Sequence, residues 1–357
     1  MTTFFLNRLA TEPHALAFAG QSTPWPVALA DQTTDPSLDE ALRGHVAAAG
    51  RLLTPVAADL LATTGRPVDL FGFAPNPARL GAAADATASV EGVALTQLGA
   101  LLDLEHLGYS VAQAKPLAVL GHSQGVLAVH MTRAIEAAGS IEAAGTTLDE
   151  ILAVAALIGA AGTRRVRELG LNPKYGEASP MLSVKGATRA QVEALVARVN
   201  NARGPISIAV TNSDNHHVLS GYPEDLAAFA LEAEREHQHQ AKLREQKLHG
   251  GTVFNPTLEY LEVTLPFHSP LMADAVEQTV AWAGACGFDQ KRTRALAEEV
   301  LLNHVDWNAR VKALFDDADP SKLWIVDLGP GNTLGKLIGN VVQGTGIGVV
   351  EATTLAG

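Results

Sequence analysis

Apolar and polar positions follow two different rhythms along the chain. From Ala15 to Leu169, short unbroken apolar runs are spaced by longer helical ones. Ala15-Leu-Ala-Phe-Ala19 and Leu117-Ala-Val-Leu120 are too short for helices and carry no polar residue, the pattern of buried strands. Leu38 to Leu61 has helical spacing, with a break expected near Gly50. In Ser89 to Leu107, the residues Val90, Val93, Ala94, Gln97, Leu98, Leu101 and Leu102 share one face, and Gly108 ends the helix. Val126 to Ala138 and Leu148 to Leu169 are further helices, the second with a small-residue face of Leu152, Ala155, Ala156 and Gly159. This β-α-α-β-α-α succession predicts a parallel sheet covered by helices.

The rhythm changes after Pro173. Strands are expected at 180–184, 206–212, 218–221 and 261–265, with helices at 189–199 and 224–247. That β-α-β-β-α-β order is the ferredoxin-like one. A small unit of residues 177–266 is therefore expected as an insertion in a larger α/β unit formed by 1–176 and 267–357. The larger unit resumes with helices at 272–285 and near Ala295, a buried strand at 323–327, a Gly-Pro-Gly turn, a helix and a last strand at 347–350.

Composition narrows the function. A net charge of −12 argues against non-specific nucleic-acid binding. The single cysteine, Cys286, leaves no disulfide framework and no Cys-rich metal site. No apolar run reaches the length of a membrane span, and the N-terminus has no secretion signal, so a soluble cytoplasmic protein is expected. The charged run from Glu232 to Lys247 contains His237 and His239 but reads as a solvated helix face, not a metal site.

The candidate chemistry lies at Gly121-His-Ser-Gln-Gly125, a G-x-S-x-G run between a buried strand and a helix. In such an elbow the serine stands clear of the backbone, and the N–H groups of the new helix favour negative charge beside it. Ser123 is thus the candidate nucleophile. It needs a base, and His268, between Pro266 and Pro270 at the re-entry to the large unit, is the first choice. His122 is the rival base; adjacent side chains in a tight turn diverge, so it is read instead as part of the turn, lining the acyl pocket. No Asp or Glu announces itself as a third member, and a carbonyl is expected to orient His268. Arg164, Arg165, Arg167, Lys242 and Arg244 are candidates for holding an anionic ligand, although each reads first as a surface charge.

Six motifs in order resemble the acyl-CoA:acyl-carrier-protein transacylase family, and within it the acetyltransferase domain of type I fatty acid synthases. They are Phe18-Ala-Gly-Gln21, Thr96-Gln97, the elbow, Thr211-Asn212 with Val218-Leu-Ser-Gly221, Pro266-Phe-His-Ser269, and Asp327-Leu-Gly-Pro-Gly331. The resemblance implies an α/β-hydrolase-like core with an inserted ferredoxin-like subdomain. It implies that Ser123 becomes an acyl ester, that His268 is base and then acid, and that the backbone N–H groups of Gln21 and Gln124 form the oxyanion hole. It also implies substrate-binding roles for Asn212 and Gln97, and a carbonyl from the segment 300–303 behind His268. Malonyl transferases of the family carry an arginine where Ile158 falls here, so an uncharged acyl group, acetyl, is expected. The implied partners are acetyl-CoA, the phosphopantetheine of an acyl carrier protein and the other domains of a multifunctional synthase, with no tightly bound cofactor or metal. The alternatives are a malonyl or palmitoyl transferase of the same family, or a serine thioesterase or esterase.

Overall fold

Two sheets carry the two rhythms. The computed structural model describes residues 6, 8, 9, 11–21, 23–65, 85–171, 178–200, 205–246, 253–317, 319 and 322–351. Its strands are β1 (His14–Phe18), β2 (Ala118–Gly121), β3 (Met181–Lys185), β4 (Ser207–Ser213), β5 (His216–Ser220), β6 (Thr257–Tyr260), β7 (Val305–Asp306), β8 (Trp324–Asp327) and β9 (Gly348–Glu351). The first sheet is four-stranded, in the order β2-β1-β8-β9, and parallel throughout. All five residues of β1 are buried, as helices on both faces require.

The helices of this unit are α1 (Trp25–Gln32), α2 (Pro36–Leu52), α3 (Ala57–Thr64), α4 (Ala86–His106), α5 (Val126–Ala138) and α6 (Ile141–Glu168). Asp85 caps α4 and Ser140 caps α6, each accepting from a backbone N–H of the first turn. The helix break expected at Gly50 falls later, at Leu53, where the axis bends by 55° ahead of Thr54-Pro55. Gly50 sits on an open helix face and stays helical. The helix α4 is buried nearly all round, Glu91 included, so its apolar stripe understates its burial. Contrary to the expectation from apolar runs, α6 is long and apolar enough to cross a membrane by length and composition. In the fold it packs against α2, α4 and α5.

The second sheet is five-stranded, in the order β6-β3-β5-β4-β7. Its first four strands are antiparallel and, with α7 (Arg189–Asn200) and α8 (Pro223–Glu245), give the ferredoxin-like unit. Strand alternation divides its two faces. Leu182, Val184, Leu195, Leu226 and Phe229 form a core of their own. Met181, Val210 and Val218 belong instead to the main core. One strand boundary needs correction. The last strand of the unit is Thr257–Tyr260, not 261–265. The alternating Leu261, Val263 and Leu265 of that stretch serve the main core. In addition β7, from beyond residue 266, pairs in parallel with β4 and extends the small sheet. The start expected at residue 177 lies outside the described residues. The large unit closes with α9 (Ala273–Ala285), α10 (Gln290–Leu301), α11 (Trp307–Lys312) and α12 (Thr333–Val342).

Candidate active site

Backbone sterics build the elbow. The strand β2 ends at Gly121, and the tight turn Ser123–Gly125 feeds α5. A Cβ on Gly121 would lie 2.5 Å from the Val126 nitrogen, and one on Gly125 would lie 2.2 Å from the Phe18 carbonyl oxygen. No side chain fits at either glycine. Between them Ser123 takes φ +52°, the left-handed region that L-residues avoid at a cost of about 1–3 kcal/mol. Gly20 is equally tight: its Cβ would meet the His122 carbonyl at 2.7 Å and the Ser123 Cβ at 2.9 Å. The Gly20–Gln21 backbone therefore passes directly beside the elbow, near the Gln124 nitrogen.

His268 arrives from 145 residues away, and its Nε2 lies 2.6 Å from the Ser123 hydroxyl. It too holds a left-handed backbone, φ +56°. The next residue, Ser269, donates its N–H to the Leu301 carbonyl and ties this loop to the end of α10. The other ring nitrogen, Nδ1, is 2.7 Å from the Asn303 carbonyl oxygen. A carbonyl only accepts, so Nδ1 carries the proton and Nε2 offers its lone pair to the serine O–H. The carbonyl expected within 300–303 is thus that of Asn303. Burial pulls the imidazole down to about 3, against the raising effect of the Asn303 hydrogen bond. The ring is neutral at physiological pH.

His122 turns away from Ser123. Its Nε2 donates to Asn212 Oδ1 at 2.8 Å, and its ring stands edge-on to Trp307, with centroids 5.2 Å apart. Burial lowers its basicity as well. This hydrogen bond spans the cleft, since Asn212 lies on β4 of the small unit. The side chains of Gln21 and Gln124 bond to each other, and Gln124 Nε2 also donates to the Val90 carbonyl at 2.7 Å, anchoring the turn to α4. Sequence reasoning missed Arg310, whose guanidinium donates to the Gly121 carbonyl at 2.9 Å across 189 residues.

Two expected substrate contacts lie elsewhere. Gln97 is fully buried, and its amide donates to the carbonyls of Ala19, at 2.6 Å, and Gly329, at 3.3 Å. It supports the Gly20–Gln21 loop from beneath. The Asp327 carboxylate helps by accepting from the N–H groups of Gly329 and Gly335, and burial pushes it up to about 6. Ile158 is fully buried on α6 and is not among the residues lining the cleft. Next to it, a Cβ on Gly159 would lie 2.4 Å from the Ala86 carbonyl, so this face of α6 is pressed against the start of α4. The basic candidates also miss the cleft: Arg164 pairs with Glu168, Arg165 with Asp274, and Arg167 donates to the Thr63 carbonyl. Lys242 and Arg244 sit in the last turn of α8, and neither lines the cleft.

The cleft has a volume of about 1030 Å³. Gln21, His122, Ser123, Asn212 and Phe267 line it around the nucleophile. One wall is the face of the small sheet that carries Met181, Ser183 and His216. The other is α12, through Thr333, Lys336, Leu337, Asn340 and Val341. These are spaced i, i+3, i+4, i+7 and i+8, one helix face, a signal present in the sequence that pointed to no site until the fold placed it. The wall also holds a second serine–histidine contact, Ser183 Oγ to His216 Nε2 at 3.0 Å. Together the elbow, a neutral base and an adjoining backbone loop can form and break an ester at Ser123.

The chain is similar to known proteins in part of its sequence and in its fold. Residues 180–260 match the family model described as the fatty acid synthase central AT domain. The chain is 26% identical over 275 residues to the fatty acid synthase beta subunit TOXC of Cochliobolus carbonum, covering 66% of this chain and 13% of that protein. It is 28% identical over 217 residues to the fatty acid synthase subunit beta of Saccharomyces cerevisiae, covering 53% and 10%. The chain thus spans only about an eighth or less of these relatives. Among solved structures it is similar to the malonyl CoA-acyl carrier protein transacylase of Coxiella burnetii, with a TM-score of 0.65 at 17% identity over 97% of this chain and 96% of that one. It is likewise similar to MCAT from Mycobacterium tuberculosis, with a TM-score of 0.61 at 19% identity over 96% and 99%.

Proposed function

We propose that this chain, which belongs with the acyltransferases of the fatty acid synthase AT type, moves an acyl group from coenzyme A to an acyl carrier protein through an ester on Ser123. The observation that carries the reading is the chain of contacts from Ser123 Oγ to His268 Nε2 and from His268 Nδ1 to the Asn303 carbonyl. Ser123 attacks the thioester carbonyl while its proton passes to His268 Nε2. The imidazolium is held by its Nδ1–H to Asn303. The tetrahedral oxyanion is received by the backbone N–H groups of Gln21 and Gln124. The CoA thiolate leaves with the proton from His268. The phosphopantetheine thiol of the carrier then repeats the sequence in reverse: its proton goes to His268, its sulfur attacks the acyl-serine, and Ser123 recovers its hydroxyl.

Acetyl is the acyl group we assign. Gln21, His122, Asn212 and Phe267, the lining residues around Ser123, carry no positive charge, and Arg310, which donates to the Gly121 carbonyl, is not among the residues lining the cleft. A malonyl carboxylate there would lose its hydration without a partner. Malonyl is the second reading, favoured by the fold neighbours named as malonyl transferases. Intact-mass measurement after exposure to acetyl-, malonyl- and palmitoyl-CoA tests both. A stable acetyl adduct on Ser123 supports the assignment, a malonyl adduct formed equally fast overturns the acetyl choice, and release of free acid without an adduct makes the protein a hydrolase.

A further inference from the structure

The charges along the cleft are unevenly matched. Lys185, Asp214, Glu259, Lys312 and Lys336 are its charged lining residues among those described. Lys185 Nζ pairs with Glu259 at 3.0 Å, and Lys312 Nζ pairs with Asp214 at 3.1 Å. Lys336 has no carboxylate within ion-pair distance among the described residues, although the whole chain carries 38 acidic side chains against 26 basic ones. It stands in the middle of the α12 face, between Thr333 and Asn340, with Leu337 and Val341 alongside. Across from it the sheet wall alternates apolar and polar positions: Met181, Val218 and Leu261 against Ser183, His216 and Asn212.

This cleft suits a substrate arm that is itself alternately apolar and amide-bearing and ends in a negative charge. On the proposed reading, both thioester substrates share one such arm, pantetheine with a phosphate at its far end. We infer that Lys336 is the residue that binds this phosphate, and so positions the thioester of either substrate over Ser123. A lysine holds phosphate as a point charge and needs no fixed geometry, which fits an exposed side chain on a helix. In a protein of net charge −12, an unmatched ammonium at the cleft also draws the anionic end of the arm to this wall.

The inference rests on the acyltransferase reading, and substrates that differ only in phosphate separate the two. Wild type and Lys336→Gln are compared by kcat/KM for acyl-serine formation with acetyl-phosphopantetheine, acetyl-pantetheine and acetyl-CoA. The wild-type preference for acetyl-phosphopantetheine over acetyl-pantetheine should fall roughly three- to tenfold in the variant, the reach of one exposed charge-assisted contact. The fall should be larger for Lys336→Glu, absent for Lys336→Arg, and smaller at high salt. An unchanged preference in Lys336→Gln overturns the inference. So does a loss confined to acetyl-CoA, which would put the contact on the nucleotide phosphates. Acetyl-pantetheine loading of wild-type Ser123 reports independently on the acyltransferase reading, because that substrate has no phosphate.

Discussion

Two serine–histidine pairs face the same cleft, and the proposed function assigns the chemistry to only one. Ser123 and His268 sit 2.6 Å apart, each on a left-handed backbone at the junction of two elements. Ser183 and His216 sit 3.0 Å apart on neighbouring strands of a regular sheet. The first histidine is braced by the Asn303 carbonyl, which fixes its tautomer. The first serine opens a helix and lies beside the Gly20–Gln21 loop, where backbone N–H groups can receive an oxyanion. The backbone of Ser183 is flanked on both sides by ladder partners, Val218 and Glu259, so it has no donors to spare. A hydroxyl near an imidazole is therefore insufficient. What separates the pairs is strain held in place by close packing, together with unspent backbone donors.

Breaking the first pair should have the largest effect. Ser123→Ala should abolish acyl loading, a loss of roughly 10⁴-fold or more, while thermal unfolding stays near wild type. An alanine variant that still gains an acyl group would move the nucleophile elsewhere, and Ser183 is the first place to look. His268→Ala should lower loading by about 10²–10⁴-fold, because the oxyanion donors remain when the base is gone. A rate within a few-fold of wild type would remove His268 from the mechanism.

The pH dependence sharpens the contrast. A base works in its neutral form, and His268 is pulled from 6.5 to about 3, so it stays neutral as pH falls through the usual histidine range. Loading measured from about pH 8 to pH 5 should show no acid limb centred near 6.5, with loss only as the pH approaches about 3. A midpoint near 6.5 would mean that the ring is far less buried than its position implies. The smallest effect is expected at the second pair. Ser183→Ala should leave the yield of acyl-enzyme at its wild-type level, and a collapse of loading in a folded variant would show that the two pairs act together.

The sequence alone was enough for the elbow, which local sterics carry, and for most of the element order, which periodicity carries. Gly121 and Gly125 have no room for a Cβ, so the elbow can be read from five consecutive residues. The ferredoxin-like order can be read from strand and helix spacing. Alternation misled at 261–265, because residues that feed a neighbouring core alternate just as strand residues do.

Tertiary structure decided the rest. The Asn303 carbonyl that orients His268 is a backbone atom, and no residue type advertises it. His122 and Asn212 meet across the cleft only because the small unit docks on the elbow. Gln97 serves the loop rather than the substrate, and Ile158 faces the interior rather than the cleft; helix spacing shows that a position is inward but not what it meets there. The same holds for α12, whose one-sided stripe became a cleft wall, with Lys336 in it, once the last helix packed beside β4. Close packing over short stretches is encoded within the stretch itself. Contacts across a hundred residues or more depend on how the two units fit together, which no segment encodes alone.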